Sequence, residues 1–85
     1  MYLVYVLESL KSGVHYIGMT EKSIQERVAR HNRGDYRFTK MHRPWQVIYQ
    51  EEVSSRSEAV KRERFLKSGI GRQELKKILV SLNQN

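Results

Sequence analysis

Eighty-five residues make one domain, residues 1–85, with room for a single modest core. The absence of cysteine excludes a disulfide framework and any thiolate metal site, and no apolar run approaches the length needed to cross a bilayer. Sixteen Lys and Arg against nine Asp and Glu leave a net charge of +7, the balance of a protein that meets phosphate, although solubility alone also accounts for it.

The opening "MYLVYVLES" has no basic stretch ahead of its apolar run and no small-residue cleavage site, so the chain is read as soluble and cytoplasmic, without a membrane partner. Residues 2 to 8 are aromatic and β-branched and apolar at both parities, the pattern of a central strand covered on both faces. "SLKSG" is a turn, and "VHYIG" at 14 to 18 is the return strand of a hairpin carrying Tyr5 and Tyr16. A capping box at Ser23 and Glu26 and a stop at Gly34 predict a helix over 23 to 33. The polar, basic segment "GDYRFTKMHRP" reads as a loop, and "WQVIYQEEV" at 45 to 53 as a third strand. Ser55 and Glu58 cap a second helix ending near Gly69. After a "GIGR" connection, "QELKKILVSL" is a third helix with Leu75, Ile78, Leu79 and Leu82 on its core face. The fold class is therefore α+β, a small three-stranded antiparallel sheet flanked by helices in the order β-β-α-β-α-α.

Several polar groups stand where packing alone would not put them. On the first helix, Arg27 and His31 lie four apart beside the stripe of Ile24 and Val28, either as an anion site or as an Arg stem on the core edge and a His at the helix C-terminus. On the second, with about 100° per residue and Ala59 at 0°, Leu66 falls at about 340° and Glu63 at about 40°, inside the apolar arc. A carboxylate there calls for a cation, with Arg62 and Arg64 as candidates, or a metal.

Taken together, Tyr5, Tyr16-Ile17-Gly18, Arg27, His31 and Glu63 resemble the GIY-YIG nuclease superfamily. The chain is most similar to its short stand-alone bacterial domains, which are themselves similar to the N-terminal nuclease domain of the excision-repair incision subunit. The resemblance extends through "RPW" at 43 to 45 and "SRSEAVKRERFLKSGIGR" at 55 to 72. Where the name motif has Gly-Ile-Tyr, this sequence has Leu3-Val4-Tyr5, keeping the tyrosine and changing the backbone position two before it.

The resemblance implies a metal-dependent endonuclease acting on nucleic acid, DNA favoured over RNA, with a part in DNA repair. Its catalytic set would be Tyr5, Tyr16, Arg27, His31 and Glu63. Glu63 would be the sole protein ligand of one Mg²⁺ or Mn²⁺ ion, and Arg27 would stabilise the transition-state charge. Tyr5, Tyr16 and His31 would surround the attacking water, with the general base open among them. Outside that set, Arg33, Arg37, Lys40 and Arg43 interleave with Tyr36, Phe38 and Trp45 as a strip for phosphates and bases, extended by Lys67 on the second helix; Trp45, which opens a strand, belongs rather to the core. The alternative is a nucleic-acid-binding module on the same scaffold with little or no turnover. His15 and His42 are surface residues.

Overall fold

The computed structural model describes residues 1–82. Its sheet has the order β2-β1-β3, all antiparallel. The central strand is β1 (Tyr2–Ser9), paired on one side with β2 (His15–Thr20) and on the other with β3 (Trp45–Val53). The doubly apolar pattern of residues 2 to 8 has its expected consequence: Val4, Tyr5, Val6 and Leu7 are all fully buried. Odd and even positions point to opposite faces of the strand, so β1 feeds two separate cores. Val4 and Val6 pack with Ile17, Ala59, Leu66 and Leu75 beneath α3 (Arg56–Lys67) and α4 (Gly69–Leu82). Tyr5 and Leu7 pack with Trp45, Tyr16, Ile24 and Val28 beneath α1 (Ile24–Arg33).

The helix starts follow the sequence signals. Ser23 caps α1 by accepting from the Glu26 amide at 3.2 Å, and Ser55 caps α3 from the Glu58 amide at 3.2 Å. Gly34 closes α1 in the left-handed conformation. The β-β-α-β-α-α order stands, with two local differences. The 34–44 segment contains a five-residue helix, α2 (Arg37–Met41), rather than loop throughout. "GIGR" is not a connection but the first turn of α4, which follows α3 after Ser68 alone. Gly71 explains why so short a junction closes. A Cβ there would lie 1.6 Å from the Phe65 carbonyl oxygen, so only glycine lets α4 cross the end of α3 this closely. Of the four α4 residues expected in the core, Leu75 is buried and Leu79 packs at its edge, but Leu82 is 57% exposed.

The replacement of Gly by Leu3 leaves the strand undisturbed. Leu3 sits in the ladder between Thr20 and Glu52, and the irregularity in β1 falls later, between Val6 and Leu7 against β3.

Candidate active site

Tyr5 is the centre of the site, and the register decides where its hydroxyl goes. Tyr5 stands opposite Gly18, and Tyr16 opposite Leu7, so the two tyrosines are diagonal rather than directly facing neighbours, with ring centroids 6.4 Å apart. The Tyr5 ring runs sideways across the edge strand and lies over Gly18. A Cβ at that position would come within 2.6 Å of the Tyr5 hydroxyl and 2.7 Å of its Cζ. Gly18 is thus the gap in β2 that admits the Tyr5 phenol, which gives the motif's glycine a packing role.

Beyond Gly18 the phenol meets α1. Arg27 Nε donates to the Tyr5 oxygen at 3.2 Å, and the same oxygen lies 3.0 Å from His31 Nε2. The four-residue spacing stacks Arg27 and His31 on one face of α1, so both reach a single atom of the strand below. His31 is fully buried, not a solvent-exposed group at the end of the helix. Its other nitrogen, Nδ1, is 2.9 Å from Thr39 Oγ1, and the Thr39 hydroxyl donates to the Tyr36 carbonyl at 3.3 Å.

This chain of bonds has one consistent direction. Thr39 spends its proton on a carbonyl, so it accepts from His31 Nδ1–H; His31 Nε2 is then a lone pair and accepts from the Tyr5 O–H. Arg27 Nε can only donate, which agrees with Tyr5 oxygen as its acceptor.

The electrostatics follow from burial. Desolvation pushes the Tyr5 phenol up to about 12, against the downward pull of the Arg27 hydrogen bond and charge. Desolvation, with the Arg27 charge second, pushes the His31 imidazole down to about 4. Near neutrality both are therefore uncharged, and Arg27 carries the positive charge of the cluster. Tyr36 packs around it, with the Arg27 guanidinium 5.0 Å from the Tyr36 ring centroid and the His31 ring 4.7 Å away.

Tyr16, half-buried, adds the aromatic wall, with its ring 4.9 Å from His31. Four of the five expected catalytic residues therefore meet in one place: Tyr5, Tyr16, Arg27 and His31.

Glu63 is placed differently. Its carboxylate accepts from Lys67 Nζ at 2.7 Å, one turn along α3, and hydrogen-bonds to none of the other four. The expected cation is thus Lys67, not Arg62 or Arg64; Arg62 is paired with Glu51 on β3. That second pair fixes the roll of α3. Ala59 and Leu66 face the sheet, Arg62 leans from their flank toward β3, and the helical spacing puts Glu63 on the opposite flank. A surface cleft at the end of β2 is lined by Tyr2, Met19, Thr20, Glu21, Lys22, Arg27 and Arg56, and Glu63 is not among its lining residues.

Among the described residues no group of three or more His, Asp or Glu side chains could hold a metal ion. Glu63 offers one partly exposed carboxylate. A single hard oxygen donor fits Mg²⁺, an ion that keeps several waters and takes its remaining ligands from substrate phosphate, provided Lys67 yields its place.

The basic strip divides in two. Arg37, Lys40 and Arg43 are exposed and hydrogen-bond to no carboxylate among the described residues. Arg33 is not free as expected: its Nε donates to Asp35 Oδ1 at 3.0 Å, and a second nitrogen of the same fork bonds Oδ2. Lys67 is likewise committed, to Glu63. Trp45 is 3% exposed, with its indole N–H on the Thr39 carbonyl at 2.7 Å, and so belongs to the core.

Two contributors were outside the expected set. Thr39 selects the His31 tautomer, and Asn32 ties α1 to the start of β3 through both Trp45 backbone groups. Asn32 sits in the last turn of α1 and Thr39 in the single turn of α2, where too few residues follow for a periodic pattern to mark a polar side chain as inward.

The GIY-YIG catalytic-domain family matches residues 1–76. A UPF0213 protein of Staphylococcus saprophyticus is 38% identical over 76 residues, covering 88% of this chain and 90% of that one. A UPF0213 protein of Staphylococcus epidermidis is 37% identical over 78 residues, 91% and 93% of the two chains. One from Staphylococcus haemolyticus is 40% identical over 76 residues, 88% and 90%. No solved structure matches this chain. With the tyrosines, the Arg27 and His31 pair and the Gly18 gap assembled around one hydroxyl, and the family matched from the first strand into α4, this chain belongs to the GIY-YIG catalytic-domain family.

Proposed function

We propose that the protein is an endonuclease that hydrolyses phosphodiester bonds in nucleic acid, DNA in preference to RNA, with one Mg²⁺ or Mn²⁺ ion. The observation that carries this reading is the Tyr5 hydroxyl, held between the cation of Arg27 and the lone pair of His31 Nε2.

Hydrolysis needs a deprotonated water and positive charge opposite the phosphorus oxygens. Tyr5 oxygen already donates to His31 and accepts from Arg27, and its second lone pair remains for a water. As that water attacks phosphorus, its proton moves to Tyr5 while the Tyr5 proton moves to His31 Nε2, leaving the phenol neutral and the imidazole charged. His31 starts neutral because burial holds its pKa near 4, so it is present as a base throughout the neutral range. The charge it gains is opposed by Arg27 in the free protein; a phosphate seated against Arg27 offsets that repulsion. Arg27 also meets the charge growing on the phosphorus oxygens with the N–H groups that Tyr5 does not take. Tyr16 closes one side of this path. A metal bound at Glu63 would supply neutralisation of phosphate charge and assistance to the departing 3′-oxygen.

The motif residues' resemblance to the nuclease domain of an excision-repair incision subunit is the ground for placing this activity in DNA repair. The test is nicking of plasmid, single-stranded, branched and RNA substrates with Mg²⁺ or Mn²⁺ by the native protein, Glu63→Ala and Arg27→Ala. Loss of cleavage in both variants is expected, and cleavage that survives both refutes the assignment.

A second reading is favoured by one observation, the ion pair that occupies Glu63. If Lys67 holds the carboxylate against metal, the protein is a nucleic-acid-binding module, and the same panel then shows salt-sensitive binding without nicking.

A further inference from the structure

We propose that Phe38, with Met41 beside it on α2, is a stacking platform for an unpaired base, and that the protein prefers single-stranded or locally unpaired nucleic acid to intact duplex. This deepens the reading of the site as one for a nucleic-acid strand and rests on it.

The three rings of the basic strip have different fates. Trp45 is sealed into the core, and Tyr36 packs on Arg27 and His31. Phe38 alone presents an open surface, 50% exposed, and Met41 beside it is 66% exposed. The orientation is not a loose loop's accident. Thr39 is fully buried between His31 and the Trp45 indole, so the only turn of α2 is pinned through its middle residue. With Thr39 turned inward, Phe38 and Met41, three apart on a helix, must share the outward face.

Position ties this face to the chemistry. The Phe38 ring is stacked with Tyr16 at 6.3 Å and 28°, and Tyr16 in turn touches His31 at 4.9 Å. A base laid on Phe38 therefore belongs to a nucleotide adjoining the one at the Tyr5 hydroxyl.

Charge identifies the occupant. Arg37 and Lys40 lie on α2 and Arg43 just after it, without acidic partners among the described residues, and Lys40 and Arg43 converge on Gly34 at the side of the helix away from Phe38. An apolar plate with free cations along the same short segment complements a base flanked by phosphates, and the faces of bases are available only where the duplex is open. An acidic peptide would satisfy the cations and leave the plate without a use.

The experiment measures equilibrium binding in EDTA, so that no cleavage is involved. A labelled 20-nucleotide DNA strand, the RNA of the same sequence, the blunt DNA duplex and a strand with abasic positions at its centre are compared at one salt concentration. Native protein is expected to bind a single strand more tightly than the duplex. Phe38→Ala should weaken single-strand binding about tenfold, the range of one base–aromatic stack, with duplex and abasic-strand binding and the salt slope unchanged. Phe38→Trp should restore affinity, with its added indole emission quenched by the strand. Phe38→Leu, which keeps an apolar side chain beside Tyr16 and His42, should bind like Phe38→Ala; this separates stacking from any loss of folding, which thermal unfolding of each variant monitors. Equal losses on duplex and single strand, or no loss in Phe38→Ala, would overturn the proposal. Phe38-dependent strand binding by a protein that never cleaves would support it and retire the hydrolase reading; cleavage by a protein whose binding ignores Phe38 would do the reverse.

Discussion

Acid should destabilise this protein through His31 before its carboxylates titrate fully. An imidazole in an unfolded chain titrates near 6.5, whereas burial beside Arg27 holds the folded group at about 4. Because the folded value is the lower one, protons bind preferentially to the unfolded chain. The stabilisation is complete above pH 6.5 and disappears as pH falls toward 4, a difference worth about 3 kcal/mol. No carboxylate faces the ring among its partners, which are Tyr5, Tyr16, Arg27, Tyr36 and Thr39, so no acidic group counters the effect. Urea unfolding at intervals from pH 7.5 to 4.5 should show the unfolding free energy falling by up to about 1.4 kcal/mol per pH unit below 6.5 from this group. The same series on His31→Gln should lack that part of the slope while retaining whatever the carboxylates add. Imidazole nitrogen NMR provides the direct check, with Nδ1 carrying the proton at pH 7 and no titration above pH 5. Parallel slopes in the two proteins, or a His31 that titrates near 6.5, would refute both the burial argument and the supply of neutral base proposed for catalysis.

Gly18→Ala drives a methyl group to 2.6 Å from the Tyr5 hydroxyl, which Arg27 and His31 hold in place; a loss of about 1–3 kcal/mol in urea unfolding is expected, with nicking reduced. Tyr5→Phe removes the atom between water and His31 and should lower kcat about 10²- to 10⁴-fold in single-turnover nicking, while strand binding through Arg37, Lys40 and Arg43 persists. Lys67→Gln frees the Glu63 carboxylate and should reduce the Mg²⁺ concentration giving half-maximal cleavage, whereas Glu63→Ala should abolish the metal response; a Mg²⁺ titration indifferent to Lys67 would argue against Glu63 as the ligand. Thr39→Val strands the His31 Nδ1–H in the core and should cost about 1–3 kcal/mol in thermal or urea unfolding.

The strands and the two capped helices were legible because each announces itself locally. Residues 2 to 8 are apolar at both parities because two cores flank β1, and Ser23 and Ser55 sit where a helix start needs a side-chain acceptor. The 34–44 segment was not, since a single turn of helix held by Thr39 and Trp45 has no periodicity of its own, and its order comes from contacts distant in sequence. "GIGR" misled for a related reason. Its glycines look like a break, but Gly71 is demanded by a close helix crossing within an element.

For the site, sequence alone determined which residues are unusual: two tyrosines on a hairpin, an Arg and a His one turn apart, and a carboxylate inside an apolar arc. Those are properties of spacing, and spacing on a helix or strand determines facing. Tertiary structure decided what each of them meets. The strand register sends the Tyr5 phenol over Gly18 to Arg27 and His31, Thr39 sets the direction of proton donation, and with Arg62 taken by Glu51 it is Lys67, one turn along α3, that reaches Glu63. Hydrogen bonds and ion pairs act over about 3 Å, a scale that only the assembled chain defines.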